Sequence, residues 1–451
     1  VLLTEQEILV PPCREGDSLF DHLRDAINSE IPEKARPIRL AVTATDHAGY
    51  HCEVGVLADS DFSFARGMDS LFELNHRQYE HSSEFNVALL VPTGIGAENG
   101  GHSGDAGALA RFVAGCCDHL VTHPNVVNAA DINELPENAL YVEGSVISRL
   151  LQGTIGLQKV RANRVMVVID EHPDPTFTEL SINSVSAARA ALGLDCPLVV
   201  TMPKRPIMRA LYSKSGRAVG RIEYLERLCE VLDEHRNRYD AVALTSLIQV
   251  PERMHGGYFD RSTDMINPWG GVEAMLTHAV STLFNVPSAH SPMMTSSEIM
   301  NLDVGVVDPR KSAEAVSTTY LHCILKGLHR SPRIITGAPL HSSPSLLTAA
   351  DLSCLVIPDG CVGLPTLAAL EQGIPVIAVK DNRNCMRNRL DELPFADGKL
   401  FRVENYLEAV GVLTALRSGV AVATVQRPLA ETVTQRHGVS VTETVETLAL
   451  A

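Results

Sequence analysis

A chain of 451 residues, 45% hydrophobic and 20% charged, has a globular composition and the length for two cores. Its formal net charge of −16 offers no positive surface to nucleic acid or anionic lipid, so a bound anion must be held by local N–H groups and a few arginines. No run approaches the ~18 apolar residues of a membrane-spanning helix. The opening VLLTEQEILVPP lacks the build of a signal peptide, and the ten cysteines show no CxxC spacing for zinc. The expected location is cytoplasmic, or an organellar stroma had a leader been removed.

Residues 1–37 combine an amphipathic helix over about 18–29 with prolines and read as an N-terminal arm. Residues 38–58 hold two β-rich runs around a turn at 46–49, the pattern of a hairpin. From Asn86 the pattern alternates: strand 86–91, a glycine-rich loop, helix 105–117 with Asp105 as N-cap, strand 119–122, strand 139–142 and helix 144–152. Strand 164–169, helix 181–192, strand 197–201, helix 221–236 and strand 240–245 follow. A long loop leads to helix 271–284 and a short segment at 286–290. Helix 311–328, strand 333–336, helix 344–350, strand 353–357, helix 364–372 and strand 375–379 come next, and the tail adds a strand and helices. This alternation predicts an α/β fold of two Rossmann-like, doubly wound lobes with mostly parallel sheets and an N-terminal hairpin or arm. Residues 1–160 form the first lobe, with loop 92–105, and 161–451 the second, with loop 358–366.

The loop after strand 86–91 carries Gly94, Gly96, Gly100, Gly101 and Gly104. Glycines admit a close ligand, and the N–H groups at a helix start attract negative charge. The spacing is neither GxGxxG nor GxxxxGK[ST], so it names no cofactor. Thr93, His102, Ser103 and Asp105 supply polar groups there. A second unit, CLVIPDGCVGLPTLAALEQGIPVIAV, repeats the design with Asp359, Gly360, Gly363 and Thr366, Pro365 suiting a first helical turn. HPNVVNA places His123, Asn125 and Asn128 beyond a strand end, where such sheets bind ligands. NPWGGVEAMLTHAVS holds Trp269, Gly270, Gly271 and Glu273 at a helix entry, with His290 and Ser291 following in SAHSPMM. KDNRNCMRNRL supplies Arg383 and Arg387 as anion-binding candidates. The acid/base candidates are His102, His123, Glu273 and His290.

The stretches PTGIGAENGGHSGDA, THPNVVNA, NPWGGVEAMLTHA, SAHSPMM and SCLVIPDGCVGLPTLAALEQGIPVIAVKDNRN resemble the domain-of-unknown-function family 3326 over roughly residues 38–425. That resemblance implies the fold and the importance of these loops, and supplies no reaction. AADLSCLVIPDGCVGLPTLAALEQGIPVIAV is also similar to the nucleotide-binding half of two-domain sugar-nucleotide glycosyltransferases and epimerases. There the matching helix start faces a nucleotide diphosphate, but the helix's usual Glu falls here at Ala368 or Ala369, with Glu371 displaced.

The expected function is an enzyme acting on a small phosphate- or carboxylate-bearing metabolite in an interlobe cleft, by group transfer, hydrolysis or isomerisation. A non-catalytic metabolite-binding regulator and a metal-dependent hydrolase or lyase are the alternatives. No cofactor is indicated and no metal ligand is assigned. The expected partner is a small anionic molecule, not nucleic acid or a membrane, and homo-oligomerisation is left open.

Overall fold

Two apolar strands far apart in the chain, Asn86–Leu89 and Leu352–Pro358, lie side by side and in parallel at the centre of a six-stranded sheet. The structure, a computed structural model, describes residues 1–434 apart from 59–61, 66–67, 103, 134, 338–339 and 341–344. The sheet runs Leu400–Val403, Val376–Val379, Leu352–Pro358, Asn86–Leu89, His119–Thr122, Ala139–Tyr141, all parallel. Chain order proceeds outward from the central pair in both directions, which makes that pair a topological switch point. Every residue of the two central strands is buried, as a sheet covered on both faces requires. Residues on either side of 160 contribute three strands each.

A second parallel sheet has the order Leu198–Met202, Val165–Asp170, Ala241–Ser246, Ser288–Pro292. A third, mixed sheet joins Ile248–Gln249, Ile207–Tyr212, Ala218–Glu223, Leu2–Val10, Gly49–Ala58, Ala35–Asp46 and Val362–Gly363. All of its pairs are antiparallel except that of Ile248–Gln249 with Ile207–Tyr212. The fold is therefore α/β with two parallel sheets and a large mixed sheet in place of a simple N-terminal arm. The expected hairpin is there, closed at Asp46 and Gly49, in the body of that mixed sheet.

Four local expectations need correction. Residues 2–10 form a nine-residue strand that pairs along its length with Gly49–Ala58. Residues 218–223 are a strand and the helix begins only at Glu226, because this segment hairpins with Ile207–Tyr212 and pairs with Leu2–Thr4. The helix expected over 311–328 breaks into Ser312–Val316 and Tyr320–His329. Between them the Ser317 hydroxyl meets Thr319 Oγ1 at 2.7 Å and accepts the Thr319 N–H, side-chain bonds that compete with the helix. Leu346–Leu347, expected to be helical, adds to the edge of Gly156–Gln158 instead.

Buried charges knit the mixed sheet to the loops above it. Arg217, 1% exposed, places Nε 2.7 Å from Glu53 Oε2 and Nη2 3.1 Å from Glu5 Oε1. Arg39 Nη1 stands further off, 3.8 Å from Glu5 Oε1. The Ser215 hydroxyl donates to Glu53 Oε1 at 2.7 Å. Two cations face two anions, so the cluster is balanced internally. Burial brings the Arg39 pKa down to about 10, with the like charge of Arg217 acting in the same direction. Burial also opposes the charge on Arg217, but its direct contacts with Glu5 and Glu53 prevail and raise it.

The glycine loop packs tightly on this sheet. Gly94 has φ +84°, its carbonyl accepts the Ala218 N–H at 2.8 Å, and a Cβ there would fall 2.5 Å from the Ala218 oxygen. Gly104, φ +66°, lies so close to Asn128 that a Cβ would sit 1.9 Å from its carbonyl oxygen. These two glycines allow backbone to approach backbone. Asp105 is not the helix cap: the helix is Gly107–Ala114, with Ala106 at the N-cap position. Asp105 Oδ1 instead accepts the Gly100 and His102 N–H groups at 3.0 and 3.3 Å, drawing the loop back on itself. Burial pushes its carboxyl up to about 6.

Two outcomes follow for stability. Arg217→Met leaves Glu5 and Glu53 buried without their main counter-charge, and the free energy of unfolding in urea should fall by about 3–5 kcal/mol; a change under ~1 kcal/mol would show that the cluster relaxes without it. For Asp105, a folded pKa raised above the ordinary 3.8 means that the folded state holds its proton longer. Its contribution is present at low pH and is lost as the pH rises from 3.8 to about 6. Asp105→Asn keeps an acceptor for the loop without the charge, so its stability relative to wild type should be greater at pH 7 than at pH 4. Equal differences at both pH values would contradict this assignment.

Candidate active site

A cavity of about 330 Å³ lies where several strands end. Leu90, Pro92 and Thr93 follow the Asn86–Leu89 strand into it, His123 follows His119–Thr122, and Glu143 follows Ala139–Tyr141. Cys361–Thr366 follow Leu352–Pro358, and His290 enters from the second parallel sheet. Ile38–Ala41 of the mixed sheet and the helices Gly144–Leu151 and Gly270–Phe284 complete the wall. The site thus combines the carboxyl ends of both parallel sheets with one strand of the mixed sheet.

Two histidine–glutamate pairs face this space. Glu143 caps the helix Gly144–Leu151: its Oε2 accepts the Ser145 N–H at 2.8 Å and also contacts the Ser145 hydroxyl. Its other oxygen, Oε1, lies 2.5 Å from His278 Nδ1. Burial favours the protonated acid, but His278 and the Ser145 donors outweigh it and hold Glu143 below its ordinary pKa. Glu273, one turn before Thr277 on the long helix, places Oε2 2.9 Å from His290 Nδ1. The opposite nitrogen, His290 Nε2, is buried and has no hydrogen-bond partner among the described residues. Arg39 Nη1 also lacks a hydrogen bond among the described residues, but it stands 3.8 Å from Glu5 Oε1, and Arg39 Nη2 donates to the Thr93 carbonyl at 3.5 Å. Buried polar atoms are nearly always paired, so the unpartnered nitrogen of His290 marks a candidate ligand contact.

The other expected histidines are held differently. The Val91 N–H donates to His123 Nε2 at 3.1 Å, so that nitrogen carries a lone pair and Nδ1 carries the hydrogen. Burial lowers the His123 pKa to about 4. His102 Nδ1 lies 3.2 Å from the Tyr258 hydroxyl, and burial, with Arg310 and Lys311 nearby, lowers it to about 4 as well. Both are neutral imidazoles at pH 7.

Of the remaining residues expected at the site, Thr93, Gly104, Asn125 and Asn128 line the cavity. So do Trp269, Gly270, Gly363 and Thr366. Gly94, Gly96, Gly100, Gly101 and Asp105 are not in its lining but build the loop behind it. Gly271 lies against Ala218, where a Cβ would be 2.3 Å from backbone carbon. Ser291 is buried in the Ser288–Pro292 strand outside the lining. Asp359 pairs with Arg402 at 2.7 Å, and Gly360 turns against Met386. Arg383 is 80% exposed and pairs with Glu98 at 3.1 Å. The Arg387 N–H donates to the Thr43 carbonyl, tying its loop to the hairpin. Neither arginine lines the cavity. Ser103 lies outside the described residues.

Arg39, Arg149, Arg217, His255 and His278 line the cavity without having been expected there. Glu5, Arg39, Glu53 and Arg217 are charges within or beside β-rich runs, and only their long-range pairing sets them apart from neighbouring charges such as Glu7, Arg36 and Arg221. His278 lies five residues after Glu273 on the same helix, and only its distant partner Glu143 reveals its direction. Among the described residues, no group of three or more His, Cys, Asp or Glu side chains is arranged to hold a metal ion, and no helix is long and apolar enough to cross a membrane.

The chain is 31% identical over 342 residues to an uncharacterised lipoprotein of Synechococcus sp., a match that covers 74% of this chain and 90% of the relative. No solved structure matches. Residues 86–426 match the family described as a protein of unknown function, DUF3326. This span contains the six-stranded sheet, both glycine units and both histidine–glutamate pairs, and the chain belongs to the DUF3326 family.

Proposed function

We propose that this protein is an enzyme that moves a proton within a small carboxylate- or phosphate-bearing metabolite, an isomerisation carried out in the 330 Å³ cavity. One observation carries the reading: the cavity presents two histidines, each with a glutamate beside Nδ1, together with Arg39, whose Nη1 makes no hydrogen bond among the described residues and only a loose 3.8 Å contact with Glu5. A carboxylate against one imidazole nitrogen fixes the tautomer and leaves the other nitrogen for proton transfer. Two such groups allow one to remove a proton and the other to deliver one, which favours isomerisation over group transfer or hydrolysis. Arg39 supplies the anion contact. The Glu143 and Glu273 carboxylates position the histidines, and neutral His102, held through Nδ1 at the Tyr258 hydroxyl, lines the cavity as a candidate hydrogen-bonding group for a developing oxyanion.

A non-catalytic binding protein would use Arg39 equally well but has no use for paired imidazoles. The similarity to sugar-nucleotide enzymes does not enter this reading, since neither the family description nor the relative's name carries it. All ten cysteines are free, and we place the folded body in a reducing compartment; lipid attachment is named for the cyanobacterial relative.

The test is proton exchange. Small carboxylates and phosphates that raise the melting temperature of the protein are incubated with it in D2O and followed by NMR. The wild type should wash deuterium into a carbon-bound position of at least one of them. His290→Ala and His278→Ala should each slow that exchange by about 10²–10⁴-fold with affinity kept within a few-fold. Arg39→Gln should weaken binding. Ligands that bind but never exchange would establish the non-catalytic alternative instead.

A further inference from the structure

We infer that the ligand is amphiphilic, with an acidic headgroup at Arg39 joined to an apolar body lying against Met293, Met294, Ile299 and Met300. This rests on the proposed site for the headgroup and extends it to the class of molecule. The strand that delivers His290 ends at Pro292, and the chain then turns back along the cavity. Ser296 accepts the Ile299 N–H and starts the short helix Ser297–Met300. The turn brings Met293, Met294, Ile299 and Met300 to the cavity, and Leu302 after them. The five lining residues that this segment supplies are all apolar, and three of them are methionines. Unbranched, polarizable thioethers fit apolar groups of varied shape, and they offer a polar ligand almost nothing.

Two parts of the cavity lining differ in kind. Arg39 is buried, and its Nη1 makes no hydrogen bond among the described residues and only a 3.8 Å contact with Glu5, the longest in a cluster of two cations and two anions. The methionine segment contributes no charge to the lining, and Leu302, which follows it in the chain, both lines the cavity and is 45% exposed. A wholly polar metabolite would leave that segment against its own polar groups without compensating hydrogen bonds. A molecule with an acid at one end and a hydrocarbon body satisfies both parts at once.

The experiment titrates the full-length chain by calorimetry with two series, straight-chain carboxylates and alkyl phosphates, of increasing chain length. Burial of each methylene should tighten binding by about fourfold until the cavity is filled. Met294→Ser combined with Ile299→Ser should flatten this dependence, and Arg39→Gln should weaken every member of whichever series binds. The better series identifies the headgroup. A wild-type series without chain-length dependence, or binding by no member of either, overturns the inference. Its failure is distinct from that of the proton-transfer reading: deuterium exchange into a short polar acid would keep the latter and remove the amphiphile. A steep chain-length dependence with no exchange would do the reverse.

Discussion

The parallel pairing of Asn86–Leu89 with Leu352–Pro358 is the constraint on which the rest depends. The strands meet through residues as far apart in the chain as Asn86 and Ser353, 267 positions, and Asn86 Nδ2 adds a bond to the Asp351 carbonyl. Each strand opens one direction of the sheet, so the loops that follow them diverge from a common edge. That edge is where a ligand can reach backbone from both units. The glycine units do not face one another across a gap; they emerge from neighbouring strands. Closing so long a loop is entropically slow and is rewarded only when both strands are buried on both faces, as they are.

The mixed sheet closes this edge. Val362–Gly363, in the loop after the second central strand, joins it as its last strand, pairing with Ala41 and Val42. The loop at 382–388 binds on both sides: the Cys385 N–H reaches the Ile95 carbonyl, and Asn388 Nδ2 reaches Val42 and Gly360. The segment read from sequence as an arginine-rich anion site is thus a clasp between the glycine loop and the hairpin. Its arginine charges face solvent or acidic partners, while its asparagines and backbone carry the structure. Two of the cations that do reach the cavity, Arg39 of strand Ala35–Asp46 and Arg217 just before Ala218–Glu223, are buried where the fold brings the opposite charge to them.

What was legible in the sequence was what is local. The buried parallel strands from 86 to 379, the helices 144–151 and 270–284, and the turn at 46–49 all announce themselves through periodicity, length or turn residues. Glu273 and His290 were visible as polar residues concentrated beside apolar elements. The strand at 2–10 was not, since its pattern LLTEQEILV becomes a strand only when paired with Gly49–Ala58. Arg217 was hidden for the same reason: its partner Glu53 is 164 positions away. Glu143 and His278 each have an ordinary local context, a helix cap and a helix face. Their pairing is a product of how the two helices pack.

The histidines show why residue type alone cannot settle the chemistry. Five imidazoles line one cavity, and four of them show two kinds of commitment. His123 accepts a backbone N–H at Nε2, and His102 is joined to a tyrosine hydroxyl in a setting that keeps it neutral. These two organise the loop and offer fixed dipoles. His278 and His290 each turn Nδ1 to a glutamate. For His290 this leaves Nε2 buried and without a hydrogen-bond partner among the described residues. A proton carrier needs one nitrogen held and one available, and by that criterion His290, held by Glu273 of the Gly270–Phe284 helix, is the residue that the proposed proton transfer would use. The glycine loop is then the scaffold that holds the cavity's opposite wall in place.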